Sequence, residues 1–264
     1  MNSPQSVDLA TATTSQVPLL KLAGAWTRYE LGLWLREPAA VLLNMAYPLI
    51  MLVFFLVSSP GIQTDPEYAL ILLGYLSLVG ILMVCINFPA NGIPEARDSD
   101  FYAFSRTLPM GPAPRLIAWI GAPMICGFVS ASSTFGIGFL VSAAQPTWVD
   151  FIVIMTNAIS LAIPMTLLGV ALGFILSKKT ALAVSLTIAF CLILLGGVSG
   201  FPMPEWINNI SRFLPSGAAG NMNSTYLAKK PFDWINVIIL TCWTAAGIVA
   251  AALLYRRDEG RKFR

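Results

Sequence analysis

Asp98, Tyr102 and Arg106 recur at every fourth position between two long apolar stretches. Wound as an α-helix over Arg97–Leu108, they stack along one face, while Phe101, Phe104 and Leu108 share another. Pro109 and Pro112, with Gly111 between them, stop such a helix. Ionised and aromatic side chains at this spacing suit recognition: they pair with, and pack against, another surface. Glu95 and Arg97 extend the charged group on its N-terminal side.

Bond-making chemistry has little support. The chain has no histidine, so the commonest general base, proton shuttle and metal ligand is missing. Gly197-Val198-Ser199-Gly200 resembles an intramembrane serine-protease motif, but a serine nucleophile needs an adjacent base. The stretch reads instead as a glycine-rich helix end. Cys85, Cys126, Cys191 and Cys242 all lie in apolar stretches, without disulfide or metal-ligand spacing. No phosphate-binding G-x-x-x-x-G-K-[ST] loop occurs. The reading is a chain with no catalytic, cofactor or metal site of its own, so directed transport would draw its energy from another polypeptide.

The elements that position these residues follow from composition. Of 264 residues, 56% are hydrophobic and 11% are charged, against about a quarter charged in soluble domains. That is the profile of an integral membrane protein. The net charge of +3 gives no reason to expect nucleic acid. A bilayer core needs roughly 20 apolar residues as helix. Six segments qualify: Ala39–Val57, Tyr68–Phe88, Leu116–Ser142, Phe151–Ser177, Ala181–Gly197 and Trp234–Tyr255. None carries Asp, Glu, Lys, Arg or His, which argues against a proton relay or ion-driven pump.

The fold expected is therefore all-α and integral to the membrane, with six transmembrane helices in one permease domain over residues 19–255. A polar tail (1–18), with no apolar signal-peptide core, precedes it, and a basic tail (256–264) follows. With the N-terminus in the cytoplasm, thirteen of the sixteen lysines and arginines fall inside, so both termini are expected there. Leu19–Glu37 reads as an interfacial helix with Leu19, Leu22, Trp26, Leu33 and Trp34 on its apolar face and Glu30 as a polar interruption. Only two connections are large: Pro89–Arg115 inside and Val198–Asp233 outside. In the outer one, Trp206, Ile207, Ile210, Phe213 and Leu214 form an apolar helical face. Pro215 then breaks the chain and Ser216 is placed to cap a second short helix, making a re-entrant hairpin between spans five and six. Gly169 and Gly173 allow close helix packing in the fourth span, and Pro48, Pro123 and Pro164 are expected to kink their spans.

This order of features resembles the membrane subunit of type-2 permeases of ABC transporters, in their drug-exporter branch. Arg36-Glu37-Pro38 matches the end of the family's interfacial helix. "EARDSDFYAFSRTLPMGPAPRLIAW" matches its coupling helix, with Ser99 where relatives often have glycine. The resemblance implies two paired permease chains, identical or homologous, above two cytoplasmic ATPase subunits that bind ATP and Mg. It implies a multi-pass protein of a plasma membrane, of bacterial type, surrounded by lipid. Glu95, Arg97, Asp98, Phe101, Tyr102, Phe104 and Arg106 become the candidates for coupling to the ATPase. Phe201, Trp206 and Phe213 become candidates for an extracellular gate. Spans one, two and five would line the path, with Met45, Phe54, Phe55, Met83 and Phe190, and their soft and aromatic surface suits hydrophobic or amphipathic cargo. Export of polysaccharide or lipid-linked glycan is the alternative within the family; a passive channel or scaffold is the alternative outside it.

Overall fold

The protein's computed structural model describes residues 18–99, 113–199 and 204–261, and every regular element among them is an α-helix. They are α1 (Leu19–Leu35), α2 (Pro38–Ser58), α3 (Gly61–Thr64), α4 (Pro66–Arg97), α5 (Ala113–Val141), α6 (Trp148–Ile175), α7 (Lys178–Leu195), α8 (Glu205–Ser211), α9 (Pro215–Leu227) and α10 (Trp234–Arg261). Five of them, α4, α5, α6, α7 and α10, are long and apolar enough to cross a membrane. α2 has 21 residues, of which Asn44–Ser58 form its described apolar portion.

The helix starts are written locally. Asp65 caps α4 by accepting from the Glu67 and Tyr68 amides at 2.9 and 3.2 Å, and Pro66 takes the first position, where no N–H is needed. At α6, Thr147 Oγ1 accepts from the Asp150 amide while Asp150 accepts from the Thr147 amide, a reciprocal capping box. α7 ends at Leu195 with Gly196 as its cap, and Gly197 follows with φ +69°, a conformation that favours glycine. Gly197–Ser199 thus follow a helix stop, with Ser199 buried, and Gly200 lies outside the described residues.

α4 is the hub. It packs against α2, α5, α6, α7 and α9, and most of its apolar core is buried. Its faces sort by neighbour. Toward α5, Gly92 lies under Trp119, and Ile81 and Cys85 under Gly127. Toward α6, the backbones nearly touch: a Cβ on Gly169 would stand 2.5 Å from the Ile86 carbonyl oxygen, and one on Gly173 2.6 Å from that of Pro89. The G-x-x-x-G pair is therefore a close approach within one chain. Pro89 has no N–H to give the Cys85 carbonyl four residues back, and α6 closes over that same stretch of backbone at Gly169. Burying such a freed carbonyl against protein is how spans tolerate internal proline. Pro48, Pro123 and Pro164 also sit inside helices.

Three expectations change. The helix that starts at Pro66 does not stop at Phe88 but runs through Pro89 and Pro94 to Arg97. Arg97 is its last residue, so a separate helix does not begin there. Glu30, expected as a polar interruption of the apolar face of α1, is buried and part of its packed face. The packed face of α1 runs Ala23, Thr27, Glu30 and Trp34, with Thr27 against Gly121 and Trp34 against Phe88 at 5.4 Å, while Leu19 and Leu33 are exposed. Ser216 does not cap α9: Leu214 holds the cap position, Pro215 opens the helix, and the Ser216 hydroxyl donates to the Leu192 carbonyl of α7 at 2.7 Å.

Candidate functional site

Charged side chains gather at one end of the bundle, where α4 and α10 finish and α5 and α7 begin. Arg97, on the last turn of α4, turns inward. Its guanidinium meets Asp258 of α10 at 3.2 Å and donates to the Gly173 and Phe174 carbonyls at 3.4 and 3.2 Å. Those carbonyls belong to the last turn of α6, which has no intrahelical N–H to satisfy it. One cation thus ties three span ends and faces the negative pole of α6. Asp258 is only 5% exposed, and α10 continues as helix through Arg261.

Glu95, two residues earlier, faces outward. It pairs with Lys178, the first residue of α7, at 2.6 Å, and both side chains are about half exposed. Glu37, at the α1–α2 junction, adjoins the pair. Partial burial, then the charge and hydrogen bond of the neighbouring Glu95 carboxyl, push Glu37 above the usual carboxylate range; Lys178 opposes this. Asp98 is exposed in the turn after α4. This outer group is a wet, mixed-charge surface; the inner Arg97 group is a clamp.

A third cluster lies between α1 and α5. Burial pushes the Glu30 carboxyl from its ordinary 4.5 to about 7, with the Arg115 charge opposing. The Arg115 guanidinium lies 5.4 Å from the centre of the Trp26 ring, within cation–π range.

Of the coupling candidates, Glu95, Arg97 and Asp98 come together at this end, whereas Phe101, Tyr102, Phe104 and Arg106 lie outside the described residues. Of the gate candidates, Trp206 and Phe213 are 59% and 74% exposed, and Phe201 lies outside the described residues. The hairpin's two helices differ sharply. α8 turns its apolar side chains outward, while Pro215–Gly220 of α9 are buried. Asn223 of α9 accepts from Asn157 of α6 at 2.7 Å and donates to the Gly74 carbonyl of α4 at 3.3 Å. Tyr226 donates to Asp150 at 2.9 Å.

The five path candidates differ in burial and in their neighbours. Phe55 and Met83 are buried, Phe54 is half exposed, Met45 packs near Val84 and Phe88, and Phe190 meets Tyr47 at 5.0 Å. Sequence reasoning missed Asp258, Glu37, Lys178 and Glu30. Asp258 was hidden in a basic tail, and the pairings of the others depend on which helices adjoin.

A family profile described as ABC-2 family transporter protein matches residues 56–254, well over half of the chain. No curated protein matches it.

Proposed function

The chain belongs to the ABC-2 transporter family, and on that premise we propose that it is the membrane subunit of an ATP-driven exporter. In this family the permease domain is the transmembrane component rather than the ATPase, and it works with an ATPase subunit. Two permease chains would pair, and two ATPase subunits would dock where Glu95, Asp98 and Lys178 form the charged end of the bundle. ATP binding and hydrolysis there would bias the paired chains between states of different access. The cargo proposed is a hydrophobic or amphipathic compound, moved outward, with Trp206 and Phe213 at the outer rim of its path.

One observation carries this reading. The buried hub helix ends in Arg97, whose clamp reaches α6 and α10, and is followed at once by exposed Asp98. A force applied beyond Asp98 would therefore reach three span ends together. Purification from native membranes in mild detergent should bring down a nucleotide-binding subunit in constant ratio. Asp98→Arg should preserve that complex while breaking the link between ATP hydrolysis and transport. A complex that never contains an ATPase, or unchanged coupling in Asp98→Arg, would defeat the proposal.

A further inference from the structure

The α4 face toward α7 carries Met83, Asn87, Asn91 and Glu95 at every fourth position, a single stripe on the helix. Its outer rung is the Glu95–Lys178 pair. Asn91 Nδ2 donates to the Asn87 carbonyl at 2.7 Å and to Ser185 Oγ of α7 at 3.3 Å. Asn87 Nδ2 donates to the Met83 carbonyl at 2.9 Å. That bond fixes the orientation of the carboxamide and leaves Asn87 Oδ1 fully buried without a partner, on a side chain 1% exposed. A carboxamide oxygen has no proton to turn toward a helix carbonyl, as a serine or threonine hydroxyl can. A buried acceptor left open in this way calls for an explanation.

The cover over this stripe is the element best suited to lift. Fewer than a third of the residues in α7's apolar core are buried. At its far end α7 is held where Gly196 lies against Ser216, whose hydroxyl bonds the Leu192 carbonyl. Along the stripe itself its polar contacts are Ser185 and Lys178, which water can replace, beside the small buried side chains of Ala181 and Ala189.

We propose that Asn87, with Asn91 and Ser185, is a hydrogen-bonding station for the cargo, uncovered as α7 pivots about its Gly196 end. The open group is an acceptor, so the ligand it takes is an N–H or O–H donor. The stripe's own charge, Glu95, is paired with Lys178, so the donor is an uncharged polar group on an amphipathic molecule. This rests on the exporter reading and names the feature of the cargo that the site selects.

The test uses the full chain in native membranes, with exposed Cys191 and Cys242 changed to serine. In the first arm, Asn87→Cys is compared with Leu82→Cys, an equally buried position on another side of α4. The charged thiol reagent MTSET should modify position 87 at least about tenfold faster, since only a hydrated thiolate reacts. In the second arm, export of Hoechst 33342, which carries N–H donors, is compared with export of TMA-DPH, which has none. Asn87→Leu should lower the Hoechst-to-TMA-DPH rate ratio roughly tenfold, the size of one lost hydrogen bond, and Asn87→Gln should recover part of it. Equal protection of positions 87 and 82 overturns the station, and so does a ratio that Asn87→Leu leaves unchanged. Export of neither dye by the unaltered chain would count against the exporter reading, while the labelling arm would still decide the station.

Discussion

α4 meets α6 and α7 along two seams of opposite character. Against α6 the contact is backbone on backbone: Gly169 and Gly173 seat on the Ile86 and Pro89 carbonyls. Against α7 it includes Asn91 with Ser185 and Glu95 with Lys178. The first seam has no room for even a methyl group and no role for water. The second combines buried apolar residues such as Ala189 and Ile193 with polar contacts that water satisfies equally well. In a membrane, where lipid is as apolar as leucine, close packing of small residues holds helices together strongly, and single polar contacts contribute modestly. The first seam is fixed by its geometry, and the second rests in part on exchangeable polar contacts.

The largest effect should come from forcing the closed seam. Gly169→Leu should destabilise the chain by about 3 kcal/mol or more, seen as loss of monodisperse protein after heating in detergent. A tolerated leucine would show that this seam is looser than its geometry. Next comes the clamp. Arg97→Leu strands the buried Asp258 carboxylate and uncovers the last carbonyls of α6, a cost of about 2 kcal/mol. Arg97→Leu combined with Asp258→Leu should recover part of that loss in the same thermal assay. Asn223→Ala removes one bond to Asn157 and one to the Gly74 carbonyl, which should cost about 1 kcal/mol.

A smaller, pH-dependent effect is expected at the α1–α5 seam. The Glu30 pKa is raised by folding, from 4.5 to about 7. The native state therefore holds a proton that the unfolded chain releases. Its contribution is fully present below about pH 4.5 and is lost as pH rises through 7. Stability should fall across that window, and Glu30→Gln should flatten the fall. Smallest of all, Lys178→Ala should leave the melting temperature unchanged, because both partners of its ion pair are half exposed. A marked drop would mean that the polar seam is as fixed as the glycine seam.

How much was legible beforehand follows the same division. Spans were readable because twenty apolar residues without charge have few other uses, and helix starts at Asp65 and Thr147 carry local capping signals. The intrachain role of Gly169 was readable as packing from its spacing with Gly173. The end of α4 was not: Pro89 and Pro94 are stop signals in isolation, and only the wrapping helices make continuation possible. Glu30 read only as a polar interruption of α1, because its burial and its Arg115 neighbour depend on α5, which is remote in sequence. The two hairpin helices looked alike in pattern, yet α9 is built into the bundle by Asn223 and Tyr226, and α8 is left outside. The stripe from Met83 to Glu95 crosses what looked like a span–loop boundary, which is why its regularity went unread.

The length of α4 has a mechanical consequence. Its 32 residues, at about 1.5 Å each, make a rod of roughly 48 Å, against a hydrocarbon thickness of about 30 Å. Standing upright, it would leave about 18 Å clear of the oily layer, enough to keep the Arg97 end among headgroups, where ionised side chains are cheap to hold. The same rod reaches the Gly74 carbonyl beside Asn223 near its other end. A twist imposed past Asp98 would arrive there without crossing a single loop.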